Sequence, residues 1–419
     1  MLDLLYYIYF CVYLPVLLAR GKWHRGFGQR FGFFSRELEA ALSAGENIWV
    51  HAVSVGEVSL LDGIIKGLKA KYPGSRIVLS VTTTTGHELA LKRYGTAVRV
   101  IWSPLDLSWV VKIFVRTIRP KAYIVAETEL WPNLFSCLAG QGVPIVIVNG
   151  RISDEAYPRY RMARWFLRTT VLQASCLCVQ SKLDAERFIA LGADPRRVSI
   201  VGNLKFDIVL PGSVMSGLEE RRLFGLQGAQ QIFVAASTHP GEEQAVCEAF
   251  ALLKPAFPEL RLVIVPRHPQ RAGEVEGVVG RCRMQGVLLT ALKGALLGKN
   301  DVLIVDAVGH LIDLYRIADI VFIGKSLGLP RRGGQNPIEP AAFGKPVVVG
   351  PHMENFRDVM RAFREAGAVV EIARADQLAG AVKDVLSQPQ RRAGLGARAR
   401  AVVDQNRGAA ERTLNAINL

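Results

Sequence analysis

IWVHAVSVGE, Ile48 to Glu57, is the stretch from which the fold can be read. Ile48 to Val53 is an apolar run broken only by His51. It lacks strict alternation, which is the pattern of a strand covered on both faces in a parallel sheet. Ser54, Gly56 and Glu57 then end the run and open a helical pattern. A carboxylate in a first helical turn complements the helix dipole. The carboxyl end of a buried strand is also where open α/β sheets place their chemistry. Glu57 is therefore a dipole partner or a base. The first role would lower its pKa and keep it ionised.

The same signature recurs along the chain. IWVHAV, RIVLSV, VRVIW, AYIVAE, PIVIVNG and CLCVQS form one series of predicted strands. QIFVAAS, RLVIVPRH, GVLLT, DVLIVDA, IADIVFIGKS, PVVVGP and AVVEI form a second. Helical or loop segments separate most of them, so the expected fold class is α/β with two Rossmann-like domains facing a cleft. The expected division is 1–20 as a membrane anchor, 21–206 as the first domain and 207–230 as a connection. The second domain takes 231–400, and 401–419 forms a C-terminal helix packing back on the first. A length of 419 residues, half of them hydrophobic, is enough for two cores.

The anchor is predicted from Leu2 to Ala19, whose single charge is Asp3. As a helix this stretch would be roughly 27 Å long, close to a bilayer core of roughly 30 Å. It has neither the basic start nor the small-x-small site of a secretory signal. Arg20, Lys22, Arg25, Arg30 and Arg36 follow, interleaved with Trp23, Phe27, Phe31, Phe33 and Phe34. Basic residues beside an anchor mark its cytoplasmic end, and aromatics suit the headgroup layer. The expected location is thus a membrane, with the globular domains on its cytoplasmic side. Fifty-two Lys and Arg against 37 Asp and Glu give a net charge of +15 and favour anionic partners. The six scattered cysteines read as reduced packing residues, with no second Cys/His pair to make a zinc site of Cys176 and Cys178.

Polar residues gather where predicted strands end: SVGE, TTTTG, ETELWPN and NGRIS in the first series, then VGNLKFD leading out of it. STHPGEE, PRHPQR, VGHLIDL and GGQNPIEP follow in the second. Gly333 and Gly334 are expected to turn backbone amides outward, Asn336 to cap a helix, Pro337 to fit its first position and Glu339 its first turn. Such an end suits a phosphate and a ribose, or is simply a self-contained capping box. No G-x-x-x-x-G-K-[ST] loop and no G-x-G-x-x-G after the first strand occur, which disfavours a P-loop kinase and a simple NAD enzyme. There is no Asp-x-Asp pair to clamp a divalent ion, so no metal and no cofactor is expected. Glu127 and Glu129 could imitate one, or be held by nearby Arg or Lys.

HAVSVGE, ETELWPN, NGRIS, VGNLKFD, ASTHPGEE, VPRHPQR and GGQNPIEPAAFGKPVVVGPHMENF, in this order and together with the N-terminal apolar run, resemble the bacterial 3-deoxy-D-manno-octulosonic acid (Kdo) transferase family across essentially the whole chain. The resemblance implies a GT-B architecture and an inverting, metal-independent transfer of Kdo from CMP-Kdo to a lipid A precursor, with no nucleic-acid partner. It puts the general base on Glu57 and the transition-state-stabilising positions on Glu127 and Lys205. The CMP contacts fall on Arg267 and His268, on Val308, Gly309 and His310, and on Asn336, Pro337, Ile338 and Glu339. Relatives often carry Gly-Glu-Leu where this chain has Gly309, His310 and Leu311. A phosphate contact made by backbone amides survives that change, whereas one made by a Glu side chain does not. Two alternatives are a related transferase using a UDP-sugar and a non-catalytic module that binds anionic lipid.

Overall fold

A computed structural model describes Asp3 and residues 26–207, 216–328 and 333–419. The chain divides into two compact units, Met1–Asp207 with Arg407–Leu419, and Ile208–Asn406. The first holds strands β1 (Asn47–Ala52), β2 (Arg76–Val81), β3 (Arg99–Trp102), β4 (Pro120–Ala126), β5 (Ile145–Gly150), β6 (Cys176–Val179) and β7 (Val198–Ile200). The second holds β8 (Gln231–Thr238), β9 (Leu260–Pro266), β10 (Gln285–Leu288), β11 (Asp301–Ile304), β12 (Ile320–Ile323), β13 (Val347–Val349) and β14 (Val370–Glu371).

Both sheets are parallel throughout, ordered β3-β2-β1-β4-β5-β6-β7 and β10-β11-β9-β8-β12-β13-β14. The chain reverses its direction of winding between β1 and β4 in one and between β8 and β12 in the other. At such a switch point the flanking loops diverge and leave a crevice beyond the strand ends.

The apolar runs become central strands because each face has a partner. Along β1, Ile48, Val50 and Ala52 enter one core with Leu79, Ile124 and Val146, where Ile64, Leu68 and Ala409 also lie. Trp49 points the other way, into a core with Tyr123, Phe114 and Phe135. The side-chain period of two therefore feeds two helical layers from one strand. The helix Ala409–Ala416 packs on the helix Asp62–Lys71, and Lys71 Nζ donates to the carbonyls of Leu414 and Ile417 at 2.7 Å each. The helix Pro389–Asn406 runs through position 400 before the chain returns to the first unit.

The anchor expected over 1–20 lies outside the described residues apart from Asp3. Among the described residues, no helix is long and apolar enough to cross a membrane.

Candidate active site

In the first unit, three carboxylates gather beyond the ends of β1 and β4. Glu57 sits in the first turn of the helix Val55–Leu60. The amide of Val53 donates to its Oε2 at 2.7 Å and the Ser54 hydroxyl to its Oε1 at 3.2 Å. Burial pushes its pKa up from 4.5 to about 7, and the charges of Glu127 and Glu129 add to the rise. Those two hydrogen bonds pull the other way without prevailing. The expectation that a helix terminus would lower this pKa is thus overturned: a six-residue helix offers little dipole against desolvation and two like charges.

Glu127 follows β4 in a left-handed conformation, φ 54°, and its carboxylate meets Arg151 Nε at 3.4 Å. The expected hold by a nearby Arg is present at Glu127. Glu129 is half-buried, and desolvation together with the Glu127 charge raises its pKa to about 7. Glu129 was not among the site residues expected from sequence. Its only signal was spacing, two positions from Glu127 with both carboxylates on one side of an extended chain.

The end of β5 links this group to Lys205. Asn149, also left-handed at φ 55°, accepts from the Leu204 amide at 3.0 Å through its side chain, while Glu127 donates its own amide to the Val148 carbonyl at 2.9 Å. Lys205 lies in the turn Leu204–Phe206, whose start is capped by Asn203 at 2.9 Å. Asp207 accepts from the amides of Gly408 and Ala410, so the end of VGNLKFD is occupied in starting the last helix. Thr83 is likewise a cap, accepting from Gly86 at 3.3 Å.

In the second unit the expected nucleotide residues follow the carboxyl ends of three strands, β11 and β9 on one side of β8 and β12 on the other. Arg267 and His268 follow β9, Val308 to His310 follow β11, and Asn336 to Glu339 follow β12. Glu339 is half-buried, and desolvation raises its pKa; a hydrogen bond from Asn336 and the charge of Arg267 oppose the rise. Asn336 Oδ1 accepts from the Ile338 amide at 3.0 Å and its Nδ2 donates to Glu339 at 3.1 Å, while the helix itself starts at Ile338 with Pro337 at the cap, one position later than expected. His268 faces His239 with ring centroids 6.3 Å apart, and Gln335 Nε2 lies 3.1 Å from His239 Nε2. Burial lowers the His239 pKa, and the nearby Lys325, His268 and Arg271 charges lower it further. Val308 is 82% exposed, Gly309 has φ 99°, and the His310 ring stands edge-on to Phe224 at 5.9 Å.

One expectation here is corrected. The amides of Gly333 and Gly334 do not turn outward: they donate to Glu354 at 2.7 Å and to the Lys325 carbonyl at 2.6 Å. The glycines are required by crowding instead, since a Cβ on Gly333 would lie 2.6 Å from two carbonyl oxygens. The acids of STHPGEE are also engaged internally. Glu242 accepts the amides of His239, Lys325, Ser326 and Leu327 at 2.7–3.0 Å, and Glu243 pairs with Arg271 at 2.8 Å.

Residues 25–208 match the family model described as 3-deoxy-D-manno-octulosonic-acid transferase, and residues 232–402 that for group 1 glycosyl transferases. The Kdo transferase of Haemophilus influenzae is 33% identical over 94% of this chain and 91% of its own. That of Bordetella pertussis is 31% identical over 95% and 92%. Among solved structures, a UDP-GlcNAc 2-epimerase from Neisseria meningitidis bound to UDP-GlcNAc has a TM-score of 0.60 at 12% identity. The match spans 88% of this chain and 99% of that one, a likeness of fold alone. The strand-end carboxylates, the whole-length identity and both family matches agree: the chain belongs to the Kdo transferase family and is a glycosyltransferase.

Proposed function

We propose that the enzyme transfers Kdo from CMP-Kdo to a lipid A precursor with inversion and without a metal ion, using Glu57 as general base. The observation that carries this reading is a largely buried carboxylate with a pKa of about 7 at a sheet's switch point. A base titrating near the working pH combines the ionised form with the strongest proton affinity available to it. Glu57 accepts the proton of an acceptor hydroxyl as that oxygen bonds to the anomeric carbon of Kdo and the bond from that carbon to the CMP phosphate oxygen breaks. Lys205 offsets negative charge on the departing phosphate or on the sugar carboxylate. Glu127, oriented by Arg151, supports the electron-poor sugar centre. Arg267, with Glu339 opposite it, supplies the counter-charge and the hydroxyl acceptor for CMP. The GT-B arrangement, in which both strand-end faces serve one reaction, is part of the same reading.

The acceptor side is supported by a basic, apolar surface next to the carboxylates. Met162 and Trp165 are 81% and 78% exposed, and Arg159, Arg161, Arg164 and Arg168 are exposed beside them. Tyr160, on the same segment, lies in the field of Glu129. No acidic residue occurs between Glu155 and Asp184. Exposed Trp and Arg side by side suit the phosphates and acyl boundary of a lipid at a membrane surface. An inner-membrane location with a single N-terminal anchor and the domains in the cytoplasm completes the proposal.

CMP should protect the protein against heat and UDP should not; protection by UDP alone would overturn the donor assignment in favour of a UDP-sugar. Arg267→Ala should raise the KM for the donor about ten- to a hundredfold, as loss of one charge-assisted contact implies, and should remove the protection by CMP. The pH profile of kcat/KM should rise through a midpoint near 7 and then level, because Glu57 must be ionised to act. A profile already flat from pH 5 would mean that another group is the base.

A further inference from the structure

Beneath the loop that carries Glu127 and Glu129 lies a cavity with about 10 Å³ of room, enough for one water molecule. His51, Tyr123, Trp131 and Asp106 are among its walls. His51 is 2% exposed and Tyr123 fully buried. Among the described residues, His51 Nε2, the Tyr123 hydroxyl and Trp131 Nε1 are all buried without a hydrogen-bond partner. Each such group costs about 1–3 kcal/mol if left so, and three converging on one void are more than packing explains.

The hydrogen positions follow from the neighbours. Trp49 Nε1 donates to Ser80 Oγ at 2.8 Å, so the Ser80 proton goes to another acceptor. His51 Nδ1 is 2.9 Å away and the Val50 carbonyl 3.4 Å, which favours His51. Nδ1 then accepts and Nε2 carries the proton into the cavity. Burial holds the His51 pKa down at about 4, so the ring is neutral near pH 7. An occupant must accept from His51 Nε2 and Trp131 Nε1 and exchange a third bond with Tyr123. The Asp106 carboxylate in the wall disfavours an anion, and the room suits a single water.

We propose that this cavity is a built water site tying β1, β4 and the Glu127–Trp131 loop together, which makes His51, Tyr123 and Trp131 positioning residues for the carboxylates opposite Glu57. Trp131 ends that loop, two residues after Glu129, and begins the helix Pro132–Ala139. Its ring stands edge-on to His51 at 6.2 Å. Without the water, the loop touches β1 through ring contacts alone at this point, and the spacing of Glu127 and Glu129 from Glu57 loosens.

The kinetic half of the proposal rests on Glu57 being the base, whereas the water site does not. A high-resolution crystal structure of the wild type should show one water peak within about 2.7–3.2 Å of all three atoms. Tyr123→Phe and Trp131→Phe each keep a ring and remove one partner. Each should lower kcat about tenfold, a modest misplacement of catalytic groups, with the donor KM unchanged. Each should also move the midpoint of the kcat/KM profile below that of the wild type. The groups facing Glu57 are Glu127 with its partner Arg151, Glu129, the Ser54 hydroxyl and the Val53 amide, and of these Glu127 and Glu129 lie on the loop. Absence of the peak would overturn the water site. A peak together with wild-type kcat and midpoint in both variants would overturn the positioning role. Failure of Glu57 as the base would show separately, in a fully active Glu57→Gln enzyme with the water peak intact.

Discussion

Glu57→Gln should reduce transfer by about 10²–10⁴, the range removed with a general base, while making the folded protein more stable at pH 8. Both effects come from one property. Glu57 has a folded-state pKa of about 7 against an ordinary 4.5, because it is buried and faces Glu127 and Glu129. The folded protein therefore holds this proton more tightly than the unfolded chain does. The stabilising contribution is fully present below about pH 4.5 and is lost as pH rises through 7. Above that, the wild type keeps an ion in a site that disfavours it, at an expense of at most about 3 kcal/mol. Glutamine does not titrate and can still accept from Val53 and Ser54. Melting curves should therefore cross: the variant is the more stable at pH 8, and its advantage vanishes by about pH 4.5. A variant that melts below the wild type at pH 8 would mean that Glu57 is a stabilising helix cap and little else.

Glu242→Ala should unfold the second domain at a markedly lower temperature. The Glu242 carboxylate is 2% exposed and accepts four backbone amides, one from its own turn and three from the loop after β12. Deleting it strands four buried donors at the β8–β12 switch point. Even with relaxation and entry of water, about 4–5 kcal/mol is expected, the upper end for point substitutions. For a unit of this size that corresponds to roughly 8–20 °C in melting temperature. The loop leads toward Gln335 and the residues expected at CMP, so protection by CMP should weaken even below the melt. Glu242→Gln keeps the volume and one acceptor oxygen and should fall between. An alanine variant melting with the wild type would show that the amides find other partners.

Central strands are legible in this chain because a strand covered on both faces has to be a continuous apolar run. β7, Val198–Ile200, escaped notice for the converse reason: it is three residues long at a sheet edge, and Ile200 is 55% exposed. The position of Glu57 was equally legible, since strand, glycine and acid are neighbours in sequence. Its protonation was not, because the charges that raise it arrive from β4. The engagement of Gly333 and Glu242 was hidden in the same way. Their sequence neighbours give no sign of it, because Glu354 comes from beyond β13 to one and Lys325, Ser326 and Leu327 from beyond β12 to the other. Sequence neighbours identify a strand end, and what a polar group there is free to do depends on partners brought in by the sheet order.

The most direct test of the account is the product itself. Purified enzyme incubated with CMP-Kdo and a lipid A precursor, without added metal and with a chelator present, should yield acceptor heavier by one or more Kdo residues. Wild type should give that mass shift and Glu57→Gln almost none. An acceptor of unchanged mass beside an intact donor, or a shift of equal extent with Glu57→Gln, would contradict it.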